Sequence, residues 1–474
     1  MTSVLIRNVA VGRQCSVDVL VGTRTVLEIG RGLAAGPGGQ VIDGAGGALI
    51  PGLHDHHVHL RAVVAARQSV DVSGVASPAE FDRIVSAAAV RADGGRWVRV
   101  IGWHEPAAGP LDRQRLDALA GPVPVRVQHR SGAVWVLNST ALEAVGATGC
   151  DLPRIERDEH GMPTGRLFRL DDWLRDRLGP ASAPISFAHG LARYAAECTR
   201  LGITGWTDAT PDQGQSDIEE FSRLANHGVF AQRLVLMAPA GRTPPGQDWV
   251  TLGPVKVLLD DAAPPAVGEL ADRINSAHRA GSAVAVHCVT AEQLVITVAA
   301  FELAGTLDGA AGTDRIEHAG TVPSGYAKRL AGLGLAVVTQ PGFIGARGDT
   351  YRREVPLVEQ DWLYPAASLL RIGVAVAAGT DAPFGPMDPW QCMASAINRL
   401  TPDGAVLGRA ERVPASRALQ MFLAVPHNVR KTRIVAPRQP ADLCLLHAPL
   451  REALASPSAS TVHATIIGGN VHYN

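Results

Sequence analysis

Two histidines two residues apart, His57 and His59, close the run Gly52-Leu53-His54-Asp55-His56-His57-Val58-His59. In an extended chain successive side chains alternate between faces, so residues i and i+2 project together, and two imidazoles on one face can bind one metal ion. Three further groups stand at the ends of apolar runs: His287 after Ala283-Val284-Ala285-Val286, His318 in Asp314-Arg315-Ile316-Glu317-His318, and Asp381 after Ala377-Ala378-Gly379-Thr380. Lys256 is the odd member, a cation inside Val255-Lys256-Val257-Leu258-Leu259. Burial lowers a lysine's pKa and frees the amine to react, for instance with carbon dioxide to give a carbamate that can bridge two metals.

Each of these residues also has a structural reading. His54 and His56 show that histidine enrichment near His57 and His59 can be incidental, as in a surface loop. His287, His318 and Asp381 could each cap a helix or satisfy a loop, and Lys256 could snorkel to a rim or pair with Asp260 or Asp261. The metal reading rests on their joint placement at strand ends.

The elements that must position them are β-branched runs at 49–58, 203–208, 230–236, 255–259, 283–287, 315–318, 335–340 and 374–379, alternating with amphipathic, Ala-rich stretches. That alternation marks βα units around a parallel sheet, and eight strands suffice for a closed barrel whose C-terminal strand ends converge on one mouth. The expected fold is α/β, a distorted (β/α)8 TIM barrel over 51–60 and 186–415. The gap after the first strand is too long for one helix and carries strand-like pieces at 97–102 and 123–128, so residues 61–185 are expected to form an inserted lid or substrate subdomain. Trp103, His104, His129 and Arg130 are its candidate substrate-facing residues. Residues 1–50 and 416–474 alternate apolar and polar positions in short runs, which predicts that the two ends pair into one small satellite sheet domain, a β-sandwich built from both termini.

Composition narrows the partners. With 44 Lys+Arg against 45 Asp+Glu the net charge is −1, and no basic field exists to draw phosphate backbones or anionic lipid. The expected partner is a small-molecule substrate, not nucleic acid or membrane, with a homodimer left open. The six cysteines, Cys15, Cys150, Cys198, Cys288, Cys392 and Cys444, form no CxxC pair, as in reduced thiols of a cytoplasmic protein. The first residues read straight into a strand rather than a signal segment, and no apolar stretch reaches transmembrane length, so the expected location is the cytoplasm.

The sequence resembles the amidohydrolase superfamily, in particular its YtcJ-like branch (amidohydrolase family 3), which includes N-substituted formamide deformylases. The resemblance spans nearly the whole chain and is carried by Gly52 to His59, Asn138-Ser139-Thr140-Ala141-Leu142, Gly161-Met162-Pro163-Thr164-Gly165, Arg315-Ile316-Glu317-His318, Thr380-Asp381-Ala382-Pro383, Ala441-Asp442-Leu443 and Gly468-Gly469. It implies that His57, His59 and Asp381 hold one divalent metal, most simply zinc, that His287 and His318 hold a second, and that a carboxylated Lys256 bridges them. Two departures are expected to alter substrate contacts. Relatives commonly continue the His287 position with Gly-Asp two residues on, where this chain reads Cys288-Val289-Thr290, and their inserted domain often carries a histidine at the position of Ala133.

The expected chemistry is attack of metal-activated water on the carbonyl carbon of a small-molecule amide or N-formyl C–N bond, with Asp381 taking the water's proton and passing it to the departing nitrogen. Three alternatives stand beside it. An esterase or lactonase would use the same hydroxide, and a mononuclear deaminase would need an acid such as Glu292, which follows His287 by five residues in a different context. A metal-free scaffold or binding protein is the non-enzyme alternative.

Overall fold

The computed structural model describes residues 3–92, 96–178, 186–243, 246, 248–260, 263–306, 308–309 and 312–473. Two compact units form, one from residues 1–60 with 192–474 and one from residues 61–191.

In the first unit the β-branched runs become parallel strands. Leu53–Val58 pairs with Ile203–Asp208, which pairs with Arg233–Leu236, which carries Val250–Leu252 on its other edge. A second parallel sheet runs Val255–Val257, Val284–Cys288, Arg315–His318, Ala336–Thr339 and Val376–Ala378. Most of their residues are buried on both faces, which is why the sequence shows continuous apolar runs instead of alternation. The last strand's end returns to the first: Val58 bridges Ala382 in parallel, and Asp381 donates its N–H to His57 O at 2.8 Å. Helices such as Val267–Arg279, Ala291–Ala304 and Tyr326–Leu333 join successive strands, giving a mixed α/β unit. No helix among the described residues is long and apolar enough to cross a membrane.

Two sequence expectations change here. The run 49–58 is not one strand: Leu49–Pro51 pairs antiparallel with Leu443–Leu446, and only Leu53–Val58 enters the parallel sheet. The break falls at Gly52, where a Cβ would lie 2.0 Å from Thr204 Cγ2, so no larger residue could pass that neighbour. The chain ends, expected to share one sheet, form two. One has the order Val26–Gly30, Gln14–Val21, Val4–Val11, Gln40–Asp43, and the other Asn470–Tyr473, Val462–Ile467, Leu443–Leu446, Leu49–Pro51. Both present an apolar face to one core that includes Ile6, Val19, Leu443, Leu445 and Ile466, because a sheet with one apolar face needs a second layer to bury it.

The unit 61–191 has a six-stranded sheet of its own, ordered Ile155–Arg157, Pro163–Phe168, Val134–Leu137, Val125–His129, Val98–Trp103, Val70–Asp71. One face buries Val98, Val100, Val125 and Val127 with Phe81 and Leu116, and the other gathers Trp135, Leu137, Leu142, Leu167 and Leu174. Asn138 explains the Asn-Ser-Thr-Ala-Leu motif. Its buried amide caps the helix Ser139–Ala144 by accepting from Ala141 N and ties two strands by accepting from Val125 N and donating to Val123 O.

Candidate metal centre

At the end of Leu53–Val58 the strand register slips by one residue against Ile203–Asp208, between the pairs Trp206↔Asp55 and Asp208↔Val58. The slip is a bulge, which re-aims the side chains that follow it. His54 and His56 contact one another with ring centroids 4.6 Å apart, whereas His57 and His59 turn to Asp381. Asp381 Oδ1 lies 3.5 Å from His57 Nε2 and 3.2 Å from His59 Nε2, and one donor atom from each of the three residues lies within 4.8 Å of the others. Asp381 is in the left-handed region (φ 55°), so its side chain leaves the strand direction towards these rings.

The remaining candidates arrive at the same place. His318 has φ 70°, which breaks strand alternation, so Glu317 and His318 both address the cluster although they are adjacent in sequence. The His318 ring lies 4.6 Å from that of His57 and 4.5 Å from that of His287. Lys256 is buried and its Nζ has no hydrogen-bond partner, so it neither reaches the rim nor pairs with Asp260; Asp261 lies outside the described residues.

Each ring is held from behind. His57 Nδ1 faces the carboxylate of Glu317, an acceptor only, which assigns the proton to Nδ1 and leaves Nε2 as the ligand atom. His318 Nδ1 pairs with Gln340 Oε1 at 2.8 Å, and His59 Nδ1 with Thr210 Oγ1 at 3.3 Å. Glu317 is fully buried and takes Arg315 Nε at 2.6 Å on its other oxygen. Asp55, also buried, accepts from Thr380 N at 2.8 Å and Thr380 Oγ1 at 2.5 Å, tying the first strand to the loop that carries Asp381. In the sequence Glu317 and Thr380 stand only as members of motifs, and nothing marks Gln340 or Thr210. A buried-type strand carrying an acid two residues after an arginine was the one signal available.

The electrostatics suit a cation. Burial, with Lys256 and His318 nearby, holds His57 well below the ordinary histidine range, and burial brings His318 down to about 4, so both rings are neutral at pH 7 with lone pairs to give. Burial alone would raise Asp381, but the adjacent His59 side chain, foremost among its neighbours, outweighs it and holds the carboxyl well below the usual carboxylate range. Burial also pulls Lys256 down, against Glu317 and Asp381. His57 Nε2, Asp381 Oδ1 and Lys256 Nζ are all buried polar atoms without a hydrogen-bond partner. Such atoms are costly unless something completes them, and neutral imidazoles with a carboxylate are the donor set of a divalent metal.

Trp103, His104, His129 and Arg130 belong to the unit 61–191. Trp103 is buried in the 61–191 unit with its indole N–H on Gly109 O at 3.1 Å. The His129 ring sits 5.3 Å from that of Trp103 and 6.0 Å from that of His104, and Arg130 N donates to Trp103 O. Ala133 packs in the same turn, its N–H on Ser131 Oγ. Cys288 is buried and turns its thiol onto Thr297 of the following helix. Glu292 is exposed in the first turn of Ala291–Ala304.

Comparison with known proteins identifies the family. The sequence pattern of the Amidohydrolase family matches residues 40–473, and the chain belongs to that family. It is 27% identical to N-substituted formamide deformylase of Arthrobacter pascens, over 89% of this chain and 87% of that protein. It is 23% identical to YtcJ of Bacillus subtilis (strain 168), over 90% and 89%. Among solved structures, a metal-dependent hydrolase of Pyrococcus horikoshii OT3 superposes with a TM-score of 0.69 at 20% identity, covering 89% of this chain and 92% of that one, a likeness of TIM-barrel-like fold.

Proposed function

We propose that this chain is a metal-dependent hydrolase that cleaves a C–N bond, of amide or N-formyl type, in a small molecule. The observation that carries the reading is the pair His57 Nε2 and Asp381 Oδ1, buried, 3.5 Å apart and both without a hydrogen-bond partner. His57, His59 and Asp381 would hold one ion and His287 with His318 a second, on a distorted (β/α)8 barrel. Zinc is the proposed metal, since imidazole and carboxylate ligands suit it. A carboxylated Lys256 is the proposed bridge, supported by its buried, unpartnered amine. Six free cysteines suit the reducing cytoplasm proposed for it.

A divalent cation in this cradle supplies Lewis acidity, lowering the pKa of water from about 15.7 to about 7 and polarising a carbonyl oxygen. The chain supplies position and proton transfer. Glu317, Gln340 and Thr210 hold the rings of His57, His318 and His59 through their Nδ1 atoms, and the Nε2 atoms of His57 and His59 lie towards Asp381. Asp381, whose carboxyl is held well below the usual range, accepts the proton of the attacking water and passes it to the departing nitrogen.

Family membership and the 27% identity to a formamide deformylase support the C–N assignment. The test is a panel of matched N-formyl amines, N-acyl amines and esters offered to metal-loaded protein, with released amine, acid and ammonia measured. Amine release that a chelator abolishes is expected. Turnover confined to esters, or ammonia release from amino-substituted rings, would overturn it.

A further inference from the structure

The inserted unit 61–191 carries two guanidinium groups for which its own side chains provide too few partners. Arg99 and Arg126 are register neighbours on the parallel strands Val98–Trp103 and Val125–His129, so they stand side by side on one sheet face. Tryptophans flank them: the Arg126 guanidinium lies 5.9 Å from the Trp97 ring and 5.4 Å from that of Trp135, and the Arg99 guanidinium 5.2 Å from that of Trp135. Arg99 has one hydrogen bond, from Nη2 to Gln128 Oε1 at 3.1 Å, and Arg126 forms none among the described residues. Arg99 Nε, Arg99 Nη1 and Arg126 Nε are buried donors without an acceptor. Asp171 is the carboxylate that acts on both arginines, and one of its oxygens is taken by Trp135 Nε1 at 2.8 Å.

Two like charges at neighbouring sheet positions, with three unfilled donor nitrogens and one nearby carboxylate, form an arrangement whose cost an anion would remove. Stacking on the tryptophans accounts for the ring contacts but fills none of those donors, which lie in the guanidinium plane. Burial pushes Arg126 down to about 9 and Arg99 to about 10, which still leaves both charged near neutrality. A planar fork of donors matches a carboxylate or phosphate in bidentate fashion, and the tryptophan faces keep that fork in one orientation.

We propose that Arg99, against Trp135, and Arg126, against both Trp97 and Trp135, form a binding site for a small oxyanion, with a carboxylate the best match to the planar fork. This site is separate in sequence and in residues from the metal cluster and does not depend on the hydrolase reading.

The test uses the purified full chain, titrated with sodium acetate and with inorganic phosphate at constant ionic strength set by sodium chloride, and read by thermal unfolding and calorimetry. A ligand that binds only the folded state raises Tm with the logarithm of its concentration above Kd, while the heat of binding saturates. The expected result is a rise in Tm and a saturable binding isotherm with at least one of the two oxyanions, at least tenfold weaker binding in Arg126→Gln and Arg99→Gln, and weaker binding in Arg126→Lys, which keeps the charge without the fork. The acetate and phosphate arms separate a carboxylate site from a phosphate site. No saturable response in the wild-type chain, or binding retained in Arg126→Gln, would overturn the proposal, the second because it places the anion elsewhere, the metal cluster included. Should Arg126→Gln fail to fold, Arg126→Lys and Arg99→Gln decide by the same criterion.

Discussion

The Nδ1 of His57 meets one oxygen of Glu317 while the other oxygen takes Arg315 Nε at 2.6 Å, forming a buried chain of three residues that aims His57 Nε2 at Asp381. A carboxylate behind a metal-binding histidine fixes its tautomer and raises its basicity, and losing such a partner weakens metal binding by about 10- to 100-fold. Glu317→Gln is therefore expected to lower metal affinity by about that factor with the fold intact, as a competition titration against a chromophoric chelator would show. Glu317→Ala strands Arg315 as an uncompensated buried charge and is expected to cost about 3–5 kcal/mol in urea unfolding. Wild-type affinity in Glu317→Gln would mean that the charge behind the His57 ring contributes nothing to metal binding.

Asp381→Asn keeps the size of the side chain but removes the charge and the proton acceptor. Turnover is expected to fall by about 10²- to 10⁴-fold, the usual contribution of a positioned general base. A variant that retains metal and full turnover would remove Asp381 from the proton path.

Much of this centre was legible in the sequence, and what was not has physical causes. The strands 203–208 and 315–318 match Ile203–Asp208 and Arg315–His318, because residues buried on both faces leave a continuous apolar run. His57, His59, His287, His318, Asp381 and Lys256 could be named because each terminates or interrupts such a run. Glu317 was hidden by the period of two: beside His318 it should face away, and only the positive φ of His318 turns both inward. Gln340 and Thr210 carry no charge and no special spacing, so nothing distinguishes them until the rings they orient are in place. The break at Gly52 was equally invisible, since its cause is Thr204, about 150 residues away in the chain.

Lys256→Met removes a buried amine that no hydrogen bond satisfies, so the metal-free variant is expected to unfold at the same or higher urea concentration than the metal-free wild type. If the amine is carboxylated, wild-type protein grown with ¹³C-bicarbonate shows a carbamate carbon resonance that Lys256→Met lacks, and the variant loses metal. A clear spectrum without that resonance in active wild-type protein would exclude the bridge.

Thiol reactivity follows from burial. Cys15 is exposed and Cys150 half-buried, while Cys198, Cys288, Cys392 and Cys444 are buried. Burial pushes Cys288 and Cys444 up to about 12, so at pH 8 both remain protonated and unreactive. A disulfide reagent is expected to label Cys15 quickly and Cys150 more slowly in the native protein, with the other four reacting only after unfolding. Rapid native labelling of Cys288 would contradict the packing against Thr297.

The most direct test of the centre is the metal content of protein reconstituted with zinc and freed of loosely bound ions, compared between the wild type and His57→Ala/His59→Ala by elemental analysis. The arrangement of His57, His59 and Asp381 predicts one or two tightly held divalent ions per wild-type chain, with less than one retained in the double variant. A folded wild-type chain that holds none, or a double variant that holds as much as the wild type, would contradict it.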